Sequence, residues 1–273
     1  MDYPSIDGVT TALVDGVLTV TFARPDRRNA LTPDQVDHVA QLAGLAERDE
    51  ETRVVVLTGA GGDFCAGADL RSVDLSADGG QVPPIGMGRN VFLPLLELSK
   101  PLLAKVNGVA AGGGLGFALC CDIRVAADTA RFATAFSRIA ITANDSVGWL
   151  LPRIVGVAKA LELIWLGTPI DAAEAERIGL VSYVVPAHDL DARVDAMARA
   201  FADGPPVALQ LSKRLVRDGL NRSYREHVLA QEYASLANRT LAPDDIAEGV
   251  AAFAEKRTPL FKGFTGTRRW RNY

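Results

Sequence analysis

Val106-Asn107-Gly108-Val109-Ala110-Ala111-Gly112-Gly113-Gly114 is the stretch on which the fold turns. It follows Leu102 to Val106, which reads as a strand, and it opens a small-residue apolar helix through Cys121. A second segment repeats the arrangement upstream. Phe64-Cys65-Ala66-Gly67-Ala68-Asp69-Leu70-Arg71 comes soon after Arg53-Val-Val-Val-Leu-Thr58, a continuous apolar run bounded by turn signals that reads as a buried strand. Both segments put small residues in a strand-to-helix turn. No large side chain blocks the backbone there, so N–H groups can face a ligand. Two converging N–H groups make an oxyanion hole, and losing one donor typically costs about 3–4 kcal/mol in a transition state. Either segment alone reads better as packing glycines in a tight turn.

Working outward, Gly16 to Phe22 alternates apolar and polar residues after a turn at Asp15-Gly16, as the second strand of a hairpin does. Arg24-Pro25 ends it. Thr32-Pro33-Asp34-Gln35 starts a helix, with Thr32 as N-cap, Pro33 at the first helical position and Gln35 completing a capping box. Leu75 to Gly88 has loop composition, a helix fits Asn90 to Leu98, and another strand follows Asp122. Asp171 and Glu174 form a second capping pattern, Gly179 can stop that helix, and Val181 to Val185 reads as a short strand. After Pro186 the pattern is helical to about Arg257. Strands alternate with helices first, and helices come last. The expectation is an α/β core with an α-helical C-terminal extension.

Composition narrows the function classes. The 273 residues suffice for a sizeable core. A net charge of −4 argues against nucleic-acid binding by global positive charge. No apolar run spans a bilayer, and MDYPSIDGVT lacks the apolar centre of a signal peptide. Cys65, Cys120 and Cys121 make no disulfide framework, so a cytoplasmic location is the expectation. The only histidines, His38, His188 and His227, form no metal-ligand spacing with the cysteines. No G-x-G-x-x-G occurs, because Phe117 stands where the third glycine belongs after Gly112 and Gly114. No phosphate-binding P-loop pattern occurs either. Asn144 replaces the first glycine of a nucleophile elbow ahead of Ser146.

Taken together, the two glycine segments resemble the crotonase superfamily, the enoyl-CoA hydratase/isomerase family. The resemblance runs through Val20 to Leu31, Ala66-Gly67-Ala68-Asp69-Leu70, Asn107 to Gly114 with Cys121-Asp122, Trp149 to Gly156, Ala175 to Val181, and Glu248 to Arg257. It implies a spiral of ββα units over residues 1–200 and a helical trimerisation region over 201–273. It also implies an acyl-CoA thioester as ligand, coenzyme A arriving with the substrate, no further cofactor or metal, and a homotrimer or dimer of trimers. Fatty acid metabolism fits that ligand. By position, the N–H groups of Ala68 and Gly113 would hold the thioester oxygen, and the Ala66 carbonyl would lie near the adenine. Arg27, Arg28 and Ala30 would line the coenzyme A site with Gly67, Asp69 and Leu70. Arg71 would approach its phosphates, and Lys256 would reach the coenzyme A of a neighbouring subunit.

The acid–base groups depart from the family pattern. Family hydratases use two glutamates, and the matching positions here are Gly116 and Phe136. Isomerase-like members carry one carboxylate in the loop before the Trp149-Leu-Leu-Pro-Arg stretch. The count places it at Asn144, with Asp145 next door. Asp145 has two readings: a general base for a thioester enolate, or a cap for the following helix, a role open to Asn144 too. The expectation is double-bond isomerisation with Asp145 as proton shuttle. The alternative is an acyl-CoA binder without catalysis. Hydration is a weaker reading, and so is dehalogenation, which needs a histidine that Gly88 to Lys100 does not contain.

Overall fold

A computed structural model describes residues 1–72 and 91–264. The chain opens with a hairpin of β1 (Val9–Val14) and β2 (Val17–Phe22). Its two turn residues, Asp15 and Gly16, both have positive φ, which matches the right-handed twist of the strands. Then follow α1 (Pro33–Arg48), β3 (Val54–Gly59), α2 (Leu93–Glu97), β4 (Leu102–Val106), β5 (Val109–Ala111), α3 (Gly113–Cys120), β6 (Ile123–Ala127) and β7 (Arg131–Ala133). The second half comprises α4 (Val147–Val155), α5 (Val157–Leu166), β8 (Ile170–Asp171), α6 (Ala172–Arg177), β9 (Tyr183–Val185), α7 (Leu190–Ala202), α8 (Pro206–Gly219), α9 (Tyr224–Leu241) and α10 (Pro243–Glu255).

One sheet runs β1-β2-β3-β4-β6-β9, antiparallel only at its first pair; a smaller sheet runs β5-β7-β8. The continuous apolar run of β3 has its reason in this position. Val55 and Leu57 face the main core with Val39, Leu42 and Ala46 of α1, while Val54 and Val56 pack against Val194 and Ala198 of α7. Both faces are covered, so no polar face is needed. The Thr32 capping box forms as its spacing requires, with Gln35 bonded to Thr32 in both directions.

Two boundaries move. Leu180 and Val181 both donate their N–H to Ala175 O, so they close the turn after α6, and the strand begins at Tyr183. The helix expected over Asn90 to Leu98 is shorter where it is described. It ends at Glu97 because Ser99 is tied through its N–H and hydroxyl to the Glu47 carboxylate. Asn90 and the loop expected over Leu75 to Gly88 lie outside the described residues.

The carbonyl end of α3 is held by two arginines. Arg124, buried in β6, donates to Cys121 O at 2.7 Å and to Leu180 O at 2.6 Å. Arg217 reaches in from α8 to Cys120 O and to Asp122, each at 2.7 Å. Lys213 binds the other oxygen of Asp122 at 2.7 Å. The C-terminal helices are thereby pinned to the core. Their outer faces leave Tyr224, Leu229, Tyr233, Leu236, Val250 and Phe253 exposed.

Candidate active site

The two glycine segments meet. Cys65 pairs with Ala110 as an isolated parallel bridge, with Cys65 N–H donating to Val109 O and Ala111 N–H to Cys65 O, each at 2.9 Å. Gly67 has φ +98, and a methyl group on it would stand 2.8 Å from Ala111 O and 3.1 Å from Gly113 N. Only glycine fits that approach. Gly113 is the first residue of α3, so its N–H has no acceptor inside the helix. Among the described residues neither the Ala68 nor the Gly113 N–H has a hydrogen-bond acceptor. The bridge between Leu31 and Ala68 explains the first case. Its bonds use the Gly67 carbonyl and the Asp69 N–H, and leave the Ala68 N–H on the other side.

Asp145 completes the arrangement. The space a methyl on Gly113 would take lies 2.9 Å from Asp145 Oδ2. The carboxylate is half-buried and makes no hydrogen bond to any described residue. Burial alone pushes its pKa from the ordinary 3.8 up to about 6. Asp145 and Ser146 both adopt left-handed backbone, at φ 51 and 62, uncommon for residues other than glycine. The helix-cap reading does not hold. Ser146 is the N-cap of α4 and makes no side-chain cap bond; among the described residues Asn144 contributes only its backbone carbonyl, to Val147 N–H at 2.9 Å. Phe136, at the second hydratase position, is buried in the core.

Of the residues expected along coenzyme A, those of the Arg27–Ala30 turn and of the first glycine loop are joined by backbone hydrogen bonds. Ala66 N–H donates to Arg28 O at 2.9 Å, and Leu31 N–H to Gly67 O at 2.8 Å, so the Arg27–Ala30 turn lies against the first loop. Arg24 stitches the two together, donating to Ala30 O at 2.7 Å and to the Asp69 carboxylate at 2.9 Å. That guanidinium holds Asp69 below the usual carboxylate range. Asp69 is thus an internal brace, and its other oxygen accepts Arg71 N–H at 3.2 Å. Arg27, Arg28, Leu70 and Arg71 are exposed along this edge. Lys256 is the C-cap of α10, which packs on α9. Cys65 is a packing residue: burial pushes its thiol up to about 12, and its sulfur accepts Gly67 N–H at 3.4 Å. Arg24 and Asn29 were not expected to matter. Asn29 is fully buried, and its amide donates to Ala60 O and Asp63 O. Their signal was present, since both lie inside the Val20–Leu31 stretch, but their partners are distant in sequence.

Fold and loops together define an α/β protein with two backbone N–H groups that lack an acceptor among the described residues and a half-buried carboxylate beside Gly113, a site suited to an anionic oxygen and a mobile proton. The family model for enoyl-CoA hydratase/isomerase matches residues 13–264. The chain is 38% identical over 256 residues to 1,2-epoxyphenylacetyl-CoA isomerase of Escherichia coli, covering 91% of this chain and 95% of that one. Its fold matches the crystal structure of an enoyl-CoA hydratase from Bacillus anthracis at TM-score 0.87 and 32% identity, covering 93% and 99% of the two chains. An enoyl-CoA hydratase from Polaromonas sp. JS666 matches at TM-score 0.85 and 30% identity, with 93% and 99% covered. The chain belongs to the enoyl-CoA hydratase/isomerase family and has the crotonase fold with its C-terminal helices. No described helix is long and apolar enough to cross a membrane.

Proposed function

We propose that this protein is an acyl-CoA isomerase that moves a double bond by one-carboxylate proton transfer. The observation that carries the reading is Asp145, a half-buried carboxylate beside Gly113, with Gly116 and Phe136 at both hydratase positions. The N–H groups of Ala68 and Gly113 receive the thioester oxygen. Asp145 takes a proton from carbon, and the C–H electron pair moves through the conjugated system onto that oxygen as an enolate. The same carboxyl then returns the proton at the other end of the allylic unit. Atoms and charge balance without water, which a hydration would need. A pKa near 6 keeps both protonation states within reach at neutral pH. The E. coli relative is named an isomerase of an epoxide-bearing CoA thioester, which supports isomerisation as the class of reaction.

Coenzyme A arrives on the substrate, lies along Arg27, Arg28, Ala30, Ala66 and Arg71, and no other cofactor takes part. Exposed apolar residues on α9 and α10 support a homotrimer or dimer of trimers, in which Lys256 reaches a neighbour's ligand. Light scattering at monomer mass would refute that assembly. The reaction is tested in D₂O with saturated, 2-enoyl and 3-enoyl CoA thioesters, followed by mass spectrometry. Deuterium uptake at the α or γ carbon with interconversion of the enoyl isomers is expected. Binding of the same thioesters without exchange would favour an acyl-CoA binder and overturn the proposal.

A further inference from the structure

Gly116 does more than lack a glutamate. A methyl group on it would stand 2.5 Å from Asp145 O, 3.3 Å from Asp145 Cβ and 3.3 Å from Phe92 Cε1. The nearest of these atoms is backbone, so no side-chain rotation relieves the contact. Gly113 and Gly116 lie one helical turn apart on α3 and face the same loop. Beneath them α3 cannot recede. Phe117 packs tilted against Phe92 and Phe22 at centroid distances of 4.8 and 5.4 Å, and Phe22 meets Phe64 edge-to-face at 5.4 Å. All four rings are buried. Above, the loop passes through two consecutive left-handed residues, Asp145 and Ser146.

We propose that Gly116 is a positioning residue for the proton shuttle: its bare Cα is the seat on which the Asp145 loop rests, and a side chain at 116 cannot occupy the site together with Asp145. The inference rests on the role given to Asp145 above and deepens it. Two placements of a carboxylate, on α3 at position 116 or on the loop at 145, exclude each other in this chain. Exclusion comes from the Asp145 backbone, so removing the Asp145 side chain does not lift it. The site therefore selects its reaction by steric means as well as by the identity of the acid.

The test is Gly116→Ala, a change that favours the helix itself. Normal contact begins at 3.4 Å, so the loop must back away by about 0.9 Å. A misplacement of that size lowers kcat by about 30- to 100-fold, while KM for the thioester stays within about threefold, because both hole donors remain. The Asp145 carboxyl, followed by ¹³C NMR titration, moves from about 6 toward about 4 as the group gains water. Ser146→Val unseats the loop from the other side, since a β-branched residue resists positive φ, and gives the same kinetic split. Gly116→Glu loses isomerisation and gains no hydration. The proposal is overturned if both single variants keep kcat within about threefold of the parent with the titration still near 6, or if Gly116→Glu hydrates enoyl-CoA with Asp145 unmoved. The NMR titration needs no turnover. A parent protein that exchanges no proton would sink the isomerase reading and leave the seat to be decided by the titration.

Discussion

Replacing Asp145 with Asn should make the protein at once less active and more stable. The substitution keeps the shape of the side chain and removes its charge. General acid–base catalysis contributes typically about 10²- to 10⁴-fold, so exchange in D₂O should fall by that factor while thioester binding persists. The stability change follows from the same burial. Asp145 titrates near 6 in the fold and near 3.8 in an unfolded chain, so the folded state holds the proton more tightly. Stability contributed by this group is present below 3.8 and is lost as pH rises to about 6. Above that pH the buried charge costs the parent about 2–3 kcal/mol, at 1.36 kcal/mol for each tenfold change in proton affinity. The neutral amide of Asp145→Asn bears no such cost. Denaturant titration at pH 7 should therefore find the variant more stable by about 2–3 kcal/mol, with the gap closing toward pH 4. The parent's exchange rate should rise with pH through about 6 and then level off, because the carboxylate is the active form. Exchange within threefold of the parent would refute the base assignment. A stability gap that is absent, or independent of pH, would refute the burial argument.

Two further outcomes check the rest of the site. Gly113→Pro removes the hole donor and should lower kcat by about 10²- to 10³-fold. Gly113→Ala keeps the N–H but sets a methyl 2.9 Å from Asp145 Oδ2, so it should disturb the pH profile more than thioester affinity. Steady-state kinetics across pH separates the two, and identical profiles would deny the hole its donor. Asp122→Ala leaves Lys213 and Arg217 without their shared carboxylate and should cost about 3 kcal/mol by chemical denaturation. Parental stability in that variant would mean that the C-terminal helices are held by other contacts.

What the sequence carried was local. The Thr32 box, the Asp171 cap on Glu174, the buried runs of β3 and β4 and the glycine opening of α3 each declare themselves within a few residues. The two glycine loops were legible as a pair because small residues twice follow an apolar run. The carboxylate beside Gly113 was legible only as a choice between neighbours. Nothing in Asn144-Asp145-Ser146 announces two left-handed residues, since neither is glycine, and that geometry turns Asp145 toward Gly113. Gly116 read as a missing acid, whereas its packing against a backbone 29 positions away makes it a seat. Asp69 read as a ligand contact, and Arg24, 45 positions upstream, makes it a brace. Such pairings live in tertiary contacts, which no short window of sequence contains.

The arginines at the far end of α3 have an electrical consequence. A helix of eight residues is about 12 Å long and acts as a pair of opposite partial charges, about half an elementary charge each. An oxygen at its amino end is drawn by the near pole and repelled by the far one. Here the far pole is met by the guanidinium groups of Arg124 and Arg217, which bind its carbonyls. Asp122, which pairs with Arg217 and Lys213, takes up part of that charge, and what remains offsets the repelling pole, so an oxyanion at the amino end, as proposed above, meets the near pole with less opposition. One of those two charges comes from α8, a helix that takes no direct part in the chemistry. On the proposed reading α8 thus helps set the electrical potential at the candidate site from the far side of the core.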